Sequence, residues 1–374
     1  MAASVGAMNM GVHLKLVKSQ SKHVASVSGG RTSMGPLLTT LIDKFGRENV
    51  DAVFCDTGCE DVDTYRFVRD CSKHFGIDIT CIRLVMPKKK GHGCQYQVIS
   101  IDEIGQDHYA WKQLTSKYGN PYMPGGKFCT QQMKGNIFRK YCAEKYGKDN
   151  FFTWIGYRFE EGNRIWGDEA SNALGKLGMT NSEKTEFYLE CLTGNMEQLL
   201  DDYYPSLFPC ERDDEEKGKI KKAFDVIKEK KFRFLPEICD FTKLTVNQWW
   251  ASKSFDLQIG EHLVNCLFCM EKPHAVIMLA IKDRPFEAKK FLSIVESHEV
   301  AVKVKRDGSK RDNLIMYREG ITFRQLYEKA LSMPRNEILR MSIIGKKQAA
   351  KNPCSAGECS PFGDIHNQIE IVNL

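Results

Sequence analysis

The first half of the chain alternates apolar runs of strand length with segments of helical periodicity, and few folds accept that alternation. Lys22–Val27 reads as a strand running into Ser-Gly-Gly, residues 36–45 as a helix with apolar side chains at i, i+3 and i+4, and 50–55 as a second buried strand. The pattern then repeats, with a helix over 63–75, a strand over 77–85, a helix over 136–146 and a fourth strand over 151–157. Continuously apolar strands joined by helices pack as a mostly parallel sheet of about five strands with helices on both faces, so the expected class is α/β. Ligands of such sheets lie beyond the carboxyl ends of the strands, which points to the segments after Val27, Cys55, Val85 and Tyr157.

The remainder of the 374 residues divides by composition. The stretch 88–126 is polar, punctuated by glycine and opens with Lys88, Lys89 and Lys90, and reads as a long loop or lid. From 168 to 231 acidic and basic runs (Asp213 to Glu216, then Lys217, Lys219, Lys221 and Lys222) read as an exposed helical insertion. The region 232–374 is mostly helical in pattern, which leaves an α/β domain over 1–167. With 42% hydrophobic and 27% charged residues the chain is neither disordered nor fibrous, and a net charge of +6 does not select a partner. No apolar window approaches the ~18 residues of a membrane span, and the first residues lack a secretory pattern, so a cytoplasmic protein without a membrane partner is expected.

The sharpest motif is Ser28-Gly29-Gly30-Arg31-Thr32-Ser33, set between a strand and a helix that carries Pro36 in its first turn. Two glycines allow a tight turn and close approach of backbone to a ligand, three hydroxyls surround it, and a helix start presents amides to an anion. It has neither the glycine–lysine spacing of Walker-type loops nor the three-glycine fingerprint of dinucleotide folds. Of the fourteen cysteines, Cys55, Cys81, Cys191 and Cys239 sit singly in apolar runs and read as core. Cys266-Leu-Phe-Cys269 has the spacing of metal and redox sites, and Cys354 and Cys359 flank a glycine-containing loop near the end. Cys59 has no reading.

The Ser28–Ser33 segment resembles the PP-loop of the ATP pyrophosphatase superfamily, usually Ser-Gly-Gly-Lys-Asp-Ser, and its Arg-Thr form resembles the phosphoadenosine phosphosulfate (PAPS) reductase-like branch seen in bacteria and their phages. Phe54-Cys-Asp56-Thr57-Gly58-Cys-Glu60 with Thr64 and Phe67, Phe128-Cys129-Thr130 with Lys134, Gly156-Tyr-Arg158 with Glu160, Glu161 and Arg164, and Trp249-Trp250 leading to Asn265-Cys266…Cys269…Lys272 are similar to further blocks of that family. The resemblance implies a Rossmann-like PP-loop fold, of the adenine nucleotide alpha hydrolase type, with a cysteine-ligated site in the helical C-terminal region. It implies nucleotide contacts from Ser28, Gly29, Gly30, Arg31, Thr32, Ser33, Asp56, Thr57, Gly58, Glu60 and Arg164, with Lys134 and Arg158 beside the anion. It also implies a [4Fe–4S] cluster on Cys129, Cys266 and Cys269 with Cys354 or Cys359; a structural zinc on Cys266, Cys269, Cys354 and Cys359, or a metal-free thiol pair, are the alternatives.

Three functions follow from the resemblance. The first is reduction of the PAPS (or adenosine phosphosulfate) sulfonyl group to sulfite, with Cys359 as nucleophile and a thioredoxin-like protein as reductant. The second uses ATP, with magnesium, to adenylate an acceptor such as tRNA or DNA that a sulfur donor then thiolates. The third is a nucleotide-binding module without catalysis. Thr32 stands where the usual loop has an acidic residue, and the tail reads Glu358-Cys359-Ser360-Pro361-Phe362 where thioredoxin-linked reductases have Glu-Cys-Gly-x-His.

Overall fold

The computed structural model describes residues 21–87, 93–123, 128–203, 211–302, 308–310 and 312–351. Strand β1 (Lys22–Val27) leads through the Ser-Gly-Gly loop into a wide helical turn, Ser33–Leu37, continued by α1 (Leu38–Phe45). There follow β2 (Val50–Asp56), α2 (Val62–Phe75), β3 (Ile79–Val85), β4 (Gln95–Ile99), α3 (Tyr109–Tyr118), α4 (Ile137–Tyr146) and β5 (Phe151–Ile155). The second half contains α5 (Gly162–Lys176), α6 (Asn181–Thr193), α7 (Met196–Tyr203), α8 (Glu211–Glu229), the short strand β6 (Phe232–Phe234), and helices α9 (Lys243–Ala251), α10 (His274–Asp283), α11 (Pro285–Val295), α12 (Phe323–Ser332) and α13 (Arg335–Lys351).

The strands form one six-stranded sheet in the order β4-β3-β2-β1-β5-β6, parallel except for β4, which runs antiparallel to β3. Side chains alternate between two cores. Val24, Val53, Cys55, Ile82 and Ile155 face one, with Leu114, Phe138, Trp166, Phe187 and Phe224. Ala25, Val27, Phe54, Cys81 and Trp154 face the other, with Leu38, Leu41, Phe67, Val68 and Trp250. The central strands β1, β2 and β5 are largely apolar because both faces are covered, which is the expected α/β class with a mostly parallel sheet. No described helix is long and apolar enough to cross a membrane.

Three elements depart from the sequence expectation. Part of the stretch read as a loop or lid is β4 and α3; β4 is an edge strand whose Gln97 and Val98 are exposed, so it carries no buried apolar run to announce it. The region expected to be helical begins with β6, which pairs with β5 at Thr153, Trp154 and Ile155. The charged stretch 168–231, expected to be exposed, supplies buried Phe187, Tyr188, Ile220, Phe224 and Ile227 to the first core and also buries Lys184 and Glu216.

One histidine in this frame makes stability depend on pH. His23 is buried, stacks on Phe45 at 3.8 Å and accepts a hydrogen bond from Trp154 Nε1 at 2.9 Å. Burial, aided by Arg233, lowers its pKa from 6.5 to about 4. The folded chain thus refuses a proton that the unfolded chain accepts, so the stabilisation is complete above 6.5 and is lost as pH falls toward 4. Urea unfolding should show about 2 kcal/mol lost to this residue between pH 7 and pH 5. His23→Gln, which keeps an acceptor for Trp154, should remove that share; an unchanged pH slope would refute the assignment.

Candidate functional site at the sheet switch point

Chain order reverses at β1: β2 and β3 extend to one side and β5 and β6 to the other. The crevice at such a reversal, outside the carboxyl ends of the strands, is the customary ligand position of an open α/β sheet. Three of the segments singled out in the sequence meet there. Gly29 has φ +76°, and a Cβ on it would lie 2.5 Å from Thr64 Cγ2 and 3.6 Å from Phe54, so glycine lets the loop after β1 press against β2 and α2. A Cβ on Gly156, after β5, would lie 3.1 Å from Ser33 Cα. The loop is closed internally: Ser33 Oγ accepts from the Ser28 amide at 3.1 Å, lies 3.2 Å from Ser28 Oγ and donates to the Gly30 carbonyl at 3.1 Å.

Arg31 does not reach into the crevice as an uncommitted cation. Its guanidinium forms a bidentate pair with Asp256, at 2.7 and 2.9 Å, and donates to the Leu257 carbonyl at 2.5 Å. Its carbonyl accepts from Trp250 Nε1 at 3.0 Å, and Gly35 leaves room for the rings of Trp249 and Trp250 against the helical turn. The tryptophan segment and Asp256 thus hold the loop from outside.

The second loop, 56–60, is an internally bonded acidic turn. Asp56 caps the Gly58 amide at 2.9 Å and pairs with Arg83, its register partner on β3, at 2.9 Å. Burial and the neighbouring Glu60 push the Asp56 carboxyl up to about 6, against the pull of Gly58 and Arg83. A Cβ on Gly58, φ +71°, would lie 2.8 Å from the His108 nitrogen, so glycine lets the turn pack there. Glu60 is 1% exposed and accepts from Thr57 Oγ1, from Tyr65 OH at 3.0 Å and from Lys134 Nζ at 3.3 Å. Burial alone would raise its pKa; Lys134 and the hydroxyl donors outweigh that and hold the carboxyl below its ordinary value.

The remaining basic candidates form their own cluster. Arg158 lies 3.0 Å from Glu160 and 3.1 Å from Glu161, and Arg164 lies 2.6 Å from Glu161 and 4.3 Å over the Tyr157 ring. Glu161 is buried, yet the two arginines overcome burial and keep its carboxyl below the usual range. The expected clamp cations are thus placed after the right strands but neutralised by carboxylates of the same chain.

Cys129, in the helical turn Phe128–Thr130, Cys266 and Cys269 are all half-buried. The Cys269 amide donates to the Cys266 carbonyl at 3.2 Å, so the Cys-x-x-Cys is a tight turn. Among the described residues no group of three or more His, Cys, Asp or Glu side chains converges as metal ligands. Cys354 and Cys359 lie outside the described residues, as do Lys88, Lys89 and Lys90.

Sequence reasoning missed Asp256, Tyr65, Arg83 and His108. Asp61, also missed, is fully buried; it caps α2 through the Asp63 amide at 3.0 Å and pairs with Arg284 at 2.7 Å. The Asp-Val-Asp start of α2 is an N-cap signature that could have found Asp61; a long-range partner such as Asp256 leaves no local signal.

The chain is 29% identical over 345 residues, 91% of its length and 95% of the relative's, to an uncharacterized nin region protein of Escherichia phage lambda. It is also 28% identical over 142 residues, 38% of the chain and 24% of the relative, to an uncharacterized protein of Methanocaldococcus jannaschii. No family model and no solved structure matches the chain.

Proposed function

We propose that the chain binds an adenine nucleotide at the switch point and acts in sulfur chemistry as a PAPS reductase-like enzyme, reducing the sulfonyl group of phosphoadenylyl sulfate to sulfite. The observation that carries this reading is the convergence of the loops after β1, β2 and β5, with two glycines making contacts that no side chain could share. In this reading the Ser28–Ser33 loop holds the phosphate through backbone amides and hydroxyls. Lys134, Arg158 and Arg164 share their charge between their carboxylate partners and the ligand's anion. The [4Fe–4S] cluster and the role of Cys359 depend on residues outside those described, and no step proposed here passes through them.

The test is calorimetric binding of PAPS and of ATP to the full chain, purified without oxygen, in wild type and in Gly30→Ala. A Cβ on Gly30 meets only Ser28 Oγ, at 3.5 Å, so the variant keeps the fold and places a methyl in the anion's place. PAPS should bind more tightly than ATP, and Gly30→Ala should weaken it roughly tenfold or more, about 1.4 kcal/mol. A preference for ATP would redirect the proposal to adenylation before sulfur transfer, and binding of neither would end it.

A further inference from the structure

The Cys-x-x-Cys turn and the loop after β2 are joined by contacts that the nucleotide reading does not use. The Leu267 amide donates to the Cys59 carbonyl at 2.9 Å, which sets the residue next to Cys266 against the Cys59 backbone. Both cysteines use one hydroxyl: Thr57 Oγ1 lies 3.7 Å from Cys266 Sγ and accepts from the Cys59 amide at 3.2 Å. Cys266 Sγ is also 3.6 Å from Glu60 Oε1. Cys59 is 5% exposed, and its Sγ lies 3.5 Å from Nδ1 of His108, itself buried and held at φ +56°. Burial, aided by Lys290 and Lys112, lowers the pKa of that imidazole to about 4 and keeps it neutral. Burial and the nearby Cys266 hold the Cys59 thiol well above its ordinary value, as expected of two sulfurs in one neighbourhood.

We propose that Cys266 and Cys59 form a redox-active dithiol whose substrate is a small aliphatic disulfide, with half-buried Cys266 attacking and buried Cys59 resolving. The Cys266 thiolate attacks one sulfur of the disulfide; the S–S bond breaks, one thiolate leaves with the electron pair, and a mixed disulfide remains on Cys266. The released thiolate takes the proton of Cys59, whose sulfur attacks Cys266 Sγ, forming the Cys59–Cys266 bond and expelling the second thiolate, which takes up the proton that left Cys266. The two protein thiols lose two electrons and two protons, and the substrate becomes two thiols. The inference needs no nucleotide, and it excludes Cys266 from ligating a cluster while the disulfide is closed.

The test equilibrates the full chain, purified reduced and without oxygen, with glutathione disulfide at rising ratio to glutathione, followed by acid quenching, denaturing alkylation and mass-spectrometric mapping. The expected result is a dominant Cys59–Cys266 linkage, lost in Cys59→Ser, where Cys266 retains a glutathione adduct, and lost again in Cys266→Ser. A dominant Cys266–Cys269 linkage, alkylation of both cysteines at the most oxidising ratio, or a lasting glutathione adduct on wild-type Cys266 would each overturn it. The wild-type map decides by itself, so a variant that failed to fold would not protect the proposal.

Discussion

Replacing Lys134 by methionine is expected to lower stability by about 3–5 kcal/mol, because it strands a carboxylate that cannot reach water. Glu60 is 1% exposed and Lys134 9%, and their ion pair, at 3.3 Å, supplies the positive charge that lets Glu60 remain ionised. Thr57 and Tyr65 stay bonded to Glu60 in the variant, but neutral donors replace only part of a charge partner. The double variant Lys134→Met with Glu60→Gln removes both charges and should recover most of the loss. The sign with pH follows: a carboxyl held low contributes stability above its unfolded value of 4.5 and loses it as pH falls further. In the single variant burial is no longer opposed by the lysine and raises the carboxyl, so its deficit is greatest near neutrality and shrinks in acid. Urea titrations across that range measure both quantities. A neutral-pH deficit below about 1 kcal/mol would show that the pair is solvated.

Trp166→Ala should cost a similar amount, about 3–5 kcal/mol, through a cavity rather than a charge. The indole is fully buried, stacks near Phe187 at 5.6 Å, meets Tyr188 edge-on at 6.1 Å and donates to the Lys184 carbonyl at 2.8 Å. Those partners lie in the charged stretch 168–231, while Tyr188 continues to Phe234 of β6 at 5.4 Å. The cavity therefore opens between the sheet and helices that the composition had marked as exposed. Hydrogen exchange should quicken together in β5, β6 and α6. If the amides of β5 kept their protection while α6 lost its own, the stretch would be a separate unit and the expectation would be wrong.

Where the sequence was informative, a strand was buried on both faces or a glycine was sterically required. Lys22–Val27, Val50–Asp56 and Phe151–Ile155 show themselves as apolar runs because helices cover both sides, and Gly29 and Gly58 occupy backbone positions that favour glycine. β4 was hidden because an edge strand can be polar, and β6 because three residues carry no period. In the site, the type of each residue was legible but its partner was not. Arg31, Arg158 and Arg164 read as cations awaiting an anion, whereas carboxylates of the same chain pair with them. Such pairings depend on tertiary proximity, which periodicity does not encode; the meeting of Cys59 with the Cys266 turn is of the same kind.

The fastening of the first loop has a consequence for how the molecule is made. Arg31 is clasped by Asp256 and Trp250, 225 and 219 positions further along the chain. A polypeptide emerging from the ribosome has every strand of the sheet before it has the two residues that lock the first loop. The sheet can thus assemble early, while the fastening of its first loop waits until Asp256 has been made. A nascent or truncated chain ending before Trp250 would carry the Ser-Gly-Gly loop without its fastening.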